Sequence, residues 1–291
     1  MSTSIFAGPQ RGADVVVSSL RTAGTVAAPD GSPIAYESRG QGELTLLFVH
    51  GWGTQGELWS PLLQELEPSM THQARLVTVD LPGHGRSTLR PGAQRREDPR
   101  KLYAEDLRAV MRTLGLQQVV LVGHGMGADA ALRAARLLSR EEHPAGTGYP
   151  QVQQVLLIAP FEGQDHGADG LLRTSSLLGA ALEDLEDQLR NDLPEACRRY
   201  AEIAAANTSP ETRSWLQQTI CAGQGELLAD LWQALTAHEG DPEGAGDPAI
   251  TPSTLQLHGS ADKPLPPFPM REAPKQLAEE LLRALQEEST P

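Results

Sequence analysis

The stretch Leu121-Val122-Gly123-His124-Gly125-Met126-Gly127 constrains the fold of this chain more than any other. Gln118 to Val122 is a short apolar run of strand length, glycine then occupies every second position from 123 to 127, and Ala130, Ala131, Ala134, Ala135 and Leu138 follow at helical spacing. A strand that passes through a glycine turn straight into a helix is a building unit of a parallel α/β sheet. Such a turn also suits a phosphate loop, but that loop ends in Lys-Ser or Lys-Thr after its last glycine. Ala128-Asp129 stands there instead.

The spacing of the three glycines is that of G-x-S-x-G, the frame that holds a serine nucleophile on a strained strand-to-helix turn. Here the central position is Gly125, so the frame carries only a hydrogen where the nucleophile should be. More motifs lie around it in a fixed order. Leu44 to Val49 reads as a buried strand that runs into His50-Gly51-Trp52-Gly53, with Trp59 beyond. Leu76 to Asp80 reads as a second strand, leading into Leu81-Pro82-Gly83-His84-Gly85-Arg86-Ser87, and Tyr103, Asp106, Leu107, Val110 and Leu114 mark a helix before the elbow strand. Val155 to Pro160 is the next parallel strand, and Thr254 to Asp262 resumes the core after an insert. Upstream, Pro29-Asp30-Gly31 sits between two short strand-like runs as a hairpin turn.

In this order the motifs resemble the α/β-hydrolase family, from about residue 23 to the C-terminus. The resemblance implies a mostly parallel sheet flanked by helices, with a helical cap insert. It implies an oxyanion hole built from the backbone N–H groups of Trp52 and Met126, which needs no side chain at position 125. It makes Asp262 the acid of the triad. After the acid the family carries a helix, a strand and a Gly-His loop, which take roughly 20 residues on ordinary element lengths. That room is missing: Lys263 to Pro274 follows at once, its later part resembling GHFPxxExP, so that Pro267 falls on the histidine position. A missing last strand is therefore expected, and no histidine occurs after His258 to complete the order Ser, Asp, His. The terminal helix survives, with Pro274 near its first turn and Leu277, Leu281, Leu282 and Leu285 on one stripe.

Losing the nucleophile or the base alone costs on the order of a million-fold in a well-studied serine protease. The double loss predicts a protein without a competent triad, arisen as a natural pseudoenzyme or through an internal deletion, that binds a small acyl or carbonyl ligand or a protein under its cap. The alternative is a working carboxylic-ester hydrolase with an unrecognised nucleophile and base, most similar in its HGWG and Trp59 region to enzymes acting on carrier-bound methyl esters. Asp262 alone is a weak base near neutral pH without an imidazole partner. His50, His84, His124 and His258 fall near strand ends on one edge of the sheet, but in four separate loops without i, i+4 pairing, so no metal and no cofactor are expected. Trp52 and Trp59 serve either packing under the cap or ligand contact.

The 291 residues accommodate one large core with an inserted cap. The expected division is an extension over 1–20, a core over 21–160 and 247–291, and a helical cap over 161–246. Leu182, Leu185 and Leu189, and Leu227, Leu228, Leu231, Trp232 and Leu235, recur there at helical spacing, and residues 239–248 read as the return linker. The formal charge is -14, and the cap holds about sixteen acidic against about five basic residues. A balance of that sign argues against nucleic acid or an anionic membrane as a partner. Cys197 and Cys221 form no disulfide framework. The chain shows neither a signal-peptide pattern nor an apolar run of spanning length, and the cytoplasm is the expected compartment. Nothing in the sequence sets an oligomeric state.

Overall fold

The computed structural model describes residues 21–89, 99–141, 148–159, 184–237, 252–260 and 262–287. The expected N-terminal extension, the first part of the insert with Leu182, and the return linker lie outside the described residues.

Seven strands form one sheet: β1 Arg21–Ala27, β2 Pro33–Gly40, β3 Leu44–Val49, β4 Ala74–Asp80, β5 Gln118–His124, β6 Gln151–Ile158 and β7 Ser253–Gln256. The order is β1-β2-β4-β3-β5-β6-β7. The first two pairings are antiparallel and the remaining four parallel. The hairpin between β1 and β2 turns where Pro29-Asp30-Gly31 predicts it: Gly31 takes φ 83°, and the Asp30 carboxylate accepts from Ser32 N–H at 2.8 Å. β3 and β5 are buried along nearly their whole length. Their continuous apolar runs follow from helices on both faces of the sheet. Those helices are α1 Ser60–Met70, α2 Pro99–Thr113, α3 Met126–Ser139 and, at the C-terminus, α9 Pro274–Glu287.

Among the described residues between β6 and β7 come four helices, α4 Leu185–Asn191, α5 Leu193–Ala204, α6 Pro210–Cys221 and α7 Gly225–Ala237. Asp192 and Ser209 cap α5 and α6 through their side chains, each with proline just inside the helix. After β7, two-residue strands β8 Gly259–Ser260 and β9 Lys263–Pro264 pair as a minimal hairpin, and the one-turn helix α8 Pro269–Glu272 leads into α9. Among the described residues the main sheet ends at β7, whose Ser253, Thr254 and Leu255 are exposed. No helix of the described residues is long and apolar enough to cross a membrane.

Candidate active site

The elbow turn between β5 and α3 is intact as backbone. Gly125 has φ 54° and ψ -128°, its N–H donates to the Ile158 carbonyl at 3.0 Å, and its own carbonyl accepts from Ala128 N–H at 2.9 Å. The flanking glycines are fixed by close packing. A Cβ on Gly123 would sit 2.4 Å from Ala128 Cα, and one on Gly127 only 2.3 Å from the His50 carbonyl oxygen. Position 125 is different, because a Cβ there would meet nothing closer than Gly51 Cα at 3.7 Å. Space for a side chain thus exists at the nucleophile position. Gly51 and Gly125 lie side by side, a Cβ on Gly51 falling 3.8 Å from Gly125 Cα.

The loop carrying Trp52 is tied down by histidines used as hydrogen-bond acceptors. His50 Nε2 accepts from Leu81 N–H at 2.9 Å, which leaves the proton on Nδ1, 2.8 Å from the Gly51 carbonyl. His84 Nε2 accepts from Gly53 N–H at 3.2 Å. Thr54 Oγ1 donates to the Gly51 carbonyl at 2.9 Å. The His50 and His84 rings meet edge-on at 5.0 Å. Burial lowers all three imidazoles of this corner. His84 falls to about 3 and His124 to about 4, with the nearby His50 adding to both shifts, while burial outweighs the Gly51 hydrogen bond and the Asp80 charge at His50 itself. Among the described residues His124 Nδ1 has no hydrogen-bond partner, and it lies buried beside Gly51. Among the described residues no group of three His, Cys, Asp or Glu is arranged to hold a metal ion.

Asp80 anchors the same corner from the end of β4. Its carboxylate accepts from Gly56 N–H at 2.7 Å and from Arg86 through both backbone N–H and Nε, at 3.0 and 2.9 Å. Burial pushes its pKa up, but the Arg86 and Gly56 hydrogen bonds and the His50 charge together hold it below the usual carboxylate value. Ser87 Oγ donates to the Asp80 carbonyl at 2.5 Å and accepts from Ala35 N–H at 2.7 Å, fastening the turn to β2. Asp80 and Ser87 therefore hold the shape of this loop.

Trp52 and Trp59 are both buried among aromatic side chains. Trp52 is buried against Tyr200 at 4.8 Å and Trp232 at 5.1 Å, and its indole N–H donates to the Leu228 carbonyl at 3.3 Å. Trp59 is buried against Phe48 at 5.3 Å. Met126 is likewise buried, at the first position of α3. A cleft of about 120 Å³ opens beside this loop, lined by Gly53, Thr54, His84 and Ser87 from the core, Thr219 from α6, Leu227 from α7 and Gln224 between them.

The acid and base positions lie apart from this corner's bonding. Asp262 is exposed in the turn between β8 and β9. His258 is exposed just before β8, and its carbonyl accepts from Leu265 N–H at 2.7 Å. Pro267 is exposed as well. Its neighbour Phe268 is the residue that returns to the elbow, with its ring buried 5.2 Å from the His124 ring. The connection after β9 thus reaches the elbow with a phenyl group. Phe268 holds φ 54° and ψ 52°, a left-handed conformation in which a bulky residue is an outlier, and its carbonyl accepts from Arg271 and Glu272 N–H to start α8. No sequence signal marks this placement, because left-handed positions are normally flagged by Gly or Asn. Nor does a histidine betray from sequence that its ring accepts from a distant backbone N–H.

Residues 46–289 match the alpha/beta hydrolase family. The chain is 33% identical over 243 residues to the (E)-2-((N-methylformamido)methylene)succinate hydrolase of Acinetobacter baylyi, covering 78% of this chain and 83% of that one. It is 32% identical to the 2-hydroxy-6-oxononadienedioate/2-hydroxy-6-oxononatrienedioate hydrolase 2 of Pseudomonas putida, but over 100 residues that span only 34% of each chain. Among solved structures, a thermophilic esterase from Thermogutta terrifontis superposes with a TM-score of 0.65 at 21% identity, covering 93% of this chain and 100% of that one. The strand order, the glycine-framed turn and these matches converge: the chain belongs to the alpha/beta hydrolase family.

Proposed function

We propose that this protein is a family member without a working serine triad, and that it binds a small uncharged acyl or carbonyl compound beside the loop of Trp52. The observation that carries the reading is Gly125, which keeps the backbone angles of a nucleophile turn without supplying a nucleophile. The imidazoles near the turn do not supply a base. The one lone pair of neutral His50 accepts from Leu81 and that of His84 from Gly53, while His124 is weakened by burial. Asp262 is exposed and has no histidine after it in the chain. The cleft is small beside ligand pockets of about 300–1,000 Å³. Its described lining offers hydroxyls, the amides of Gln55 and Gln224, the His84 imidazole and leucines but no Lys or Arg, so the dianionic acids in the relatives' names would find no counter-charge there.

Purified protein mixed with short-chain p-nitrophenyl esters is expected to release nitrophenol no faster than a heat-denatured control. A fluorophosphonate probe is expected to label no residue. Turnover well above the control, together with a labelled side chain, would replace this reading with that of an active carboxylic-ester hydrolase. Binding is tested separately by titrating small neutral ketones and esters against the tryptophan fluorescence of Trp52 and Trp232; a flat response across the series would remove the ligand half of the proposal.

A further inference from the structure

We propose that Cys197 and Cys221 are a redox-modification site, which a hydroperoxide converts into a disulfide joining α5 to α6. The two helices are linked by residues 205–209 and pack against each other. So short a link makes antiparallel neighbours, bringing the first half of α5 level with the last turn of α6. Cys197 and Cys221 stand at those two places on the packed pair of helices, with their side chains as neighbours. They are the only cysteines in the chain, so neither has a competing partner within the molecule. Cys197 is buried and Cys221 half-buried at the end of its helix, which makes Cys221 the sulfur an oxidant meets first.

The chemistry balances in two steps. The Cys221 sulfur, as thiolate, attacks the terminal oxygen of the hydroperoxide; the O–O bond breaks, an alcohol or water leaves, and a sulfenic acid forms. The Cys197 sulfur then attacks the sulfenic sulfur, the S–O bond breaks, and the hydroxyl leaves as water with the Cys197 proton. In sum, two thiols lose two electrons and two protons, and the hydroperoxide is reduced to an alcohol and water. Burial, with the neighbouring Cys221 adding to it, pushes the Cys197 thiol up and makes it a poor attacker of free oxidant; its place beside Cys221 on the packed helices is what lets it act on an intermediate formed there.

The position of the pair gives the link a consequence. Tyr200, one turn after Cys197, rests on Trp52, and Ile220, next to Cys221, abuts Gly53. A disulfide would fix together the two helices whose side chains sit on the loop of residues 50–53. This inference is independent of whether any ester or ketone binds.

The test uses the reduced full-length chain, treated with hydrogen peroxide and read by intact mass, free-thiol titration and non-reducing peptide mapping. The expected result is a monomer lighter by two hydrogens, with both thiols lost together, one cross-linked peptide pair containing Cys197 and Cys221, and full reversal by dithiothreitol. In Cys221→Ser the Cys197 thiol should persist under the same treatment. Two titratable thiols after oxidation, a covalent dimer, or a sulfinic acid at Cys221 beside a free Cys197 would each overturn the proposal. Should Cys221→Ser fail to fold, the mass and peptide map of the unaltered chain decide the matter alone.

Discussion

At position 125 steric room and backbone strain point in opposite directions. A side chain would fit, yet φ 54° with ψ -128° is a combination that L-residues adopt only under constraint, at a cost of about 1–3 kcal/mol. A serine in this frame would add that strain to the fold, and glycine removes it. Gly125→Ser and Gly125→Ala are each expected to lower the unfolding free energy by about 1–3 kcal/mol in urea titrations. Gly125→Ser should still show no esterase activity, because the lone pairs of His50 and His84 are taken by Leu81 and Gly53 N–H and burial weakens His124 as a base. Robust turnover would mean that His84 or His258 can reach the new hydroxyl. The neighbouring glycines are needed for another reason, since a Cβ at 127 would lie 2.3 Å from a backbone oxygen that has nowhere to go. Gly127→Ala should therefore cost about 3 kcal/mol or more, or fail to fold.

Among the elements, the segment from β8 to α8 serves as an attachment point for the helices between β6 and β7. Glu272 accepts from Ser209 N–H at 3.0 Å and from Ser209 Oγ at 2.7 Å, at the very residue that caps α6. Arg271 lies 4.1 Å over the Trp215 ring on the same helix. Burial would raise the Glu272 carboxyl, but the hydrogen bonds from Thr212 and Ser209 and the charge of Arg271 prevail and lower it. Glu272→Ala is expected to destabilise the protein by about 1 kcal/mol, less than a fully buried charged hydrogen bond because the carboxylate is partly solvated. Hydrogen exchange in α6 should rise in that variant more than in β3 or β5; unchanged protection of α6 would deny Glu272 this role. The same region separates what is legible in the sequence from what is not. β3, β4, β5 and α9 announce themselves because long apolar runs or a helical stripe survive there, and Leu277, Leu281 and Leu285 are buried as the stripe requires. The β8–β9 hairpin has two residues a side with no alternation to read. Phe268 sits in a conformation its residue type argues against. β7 reads as a core strand from Leu255 and Leu257, yet it is the sheet edge, and Leu255 is 37% exposed. An edge is a property of pairing, which one strand's residues do not encode.

For the molecule as a whole, the buried histidines set the response to acid. An unfolded histidine titrates near 6.5, whereas His84 and His124 in the folded protein titrate near 3 and 4, and burial lowers His50 as well. The unfolded state therefore binds more protons than the folded one below pH 6.5, and stability must fall as pH falls through that window. Each histidine contributes about 1.4 kcal/mol per pH unit at full difference in charge. Two of them over about two units come to roughly 5 kcal/mol, the lower end of the 5–15 kcal/mol that holds an ordinary domain together. The net charge of -14 acts the other way, since protonating surface carboxylates relieves their repulsion, but those groups titrate mostly near pH 4, below the histidine window. The Asp80 carboxylate adds a further loss only there, as it too is held below its unfolded value. Urea midpoints are thus expected to stay level between pH 8 and 7 and to drop steeply from pH 6.5 towards 4.5, with a slope of more than one proton taken up on unfolding. His124→Phe keeps an aromatic ring against Phe268 and should reduce that slope by about one proton. A stability curve that is level down to pH 4.5, or a slope unaltered in His124→Phe, would show that these imidazoles are not held neutral inside the fold.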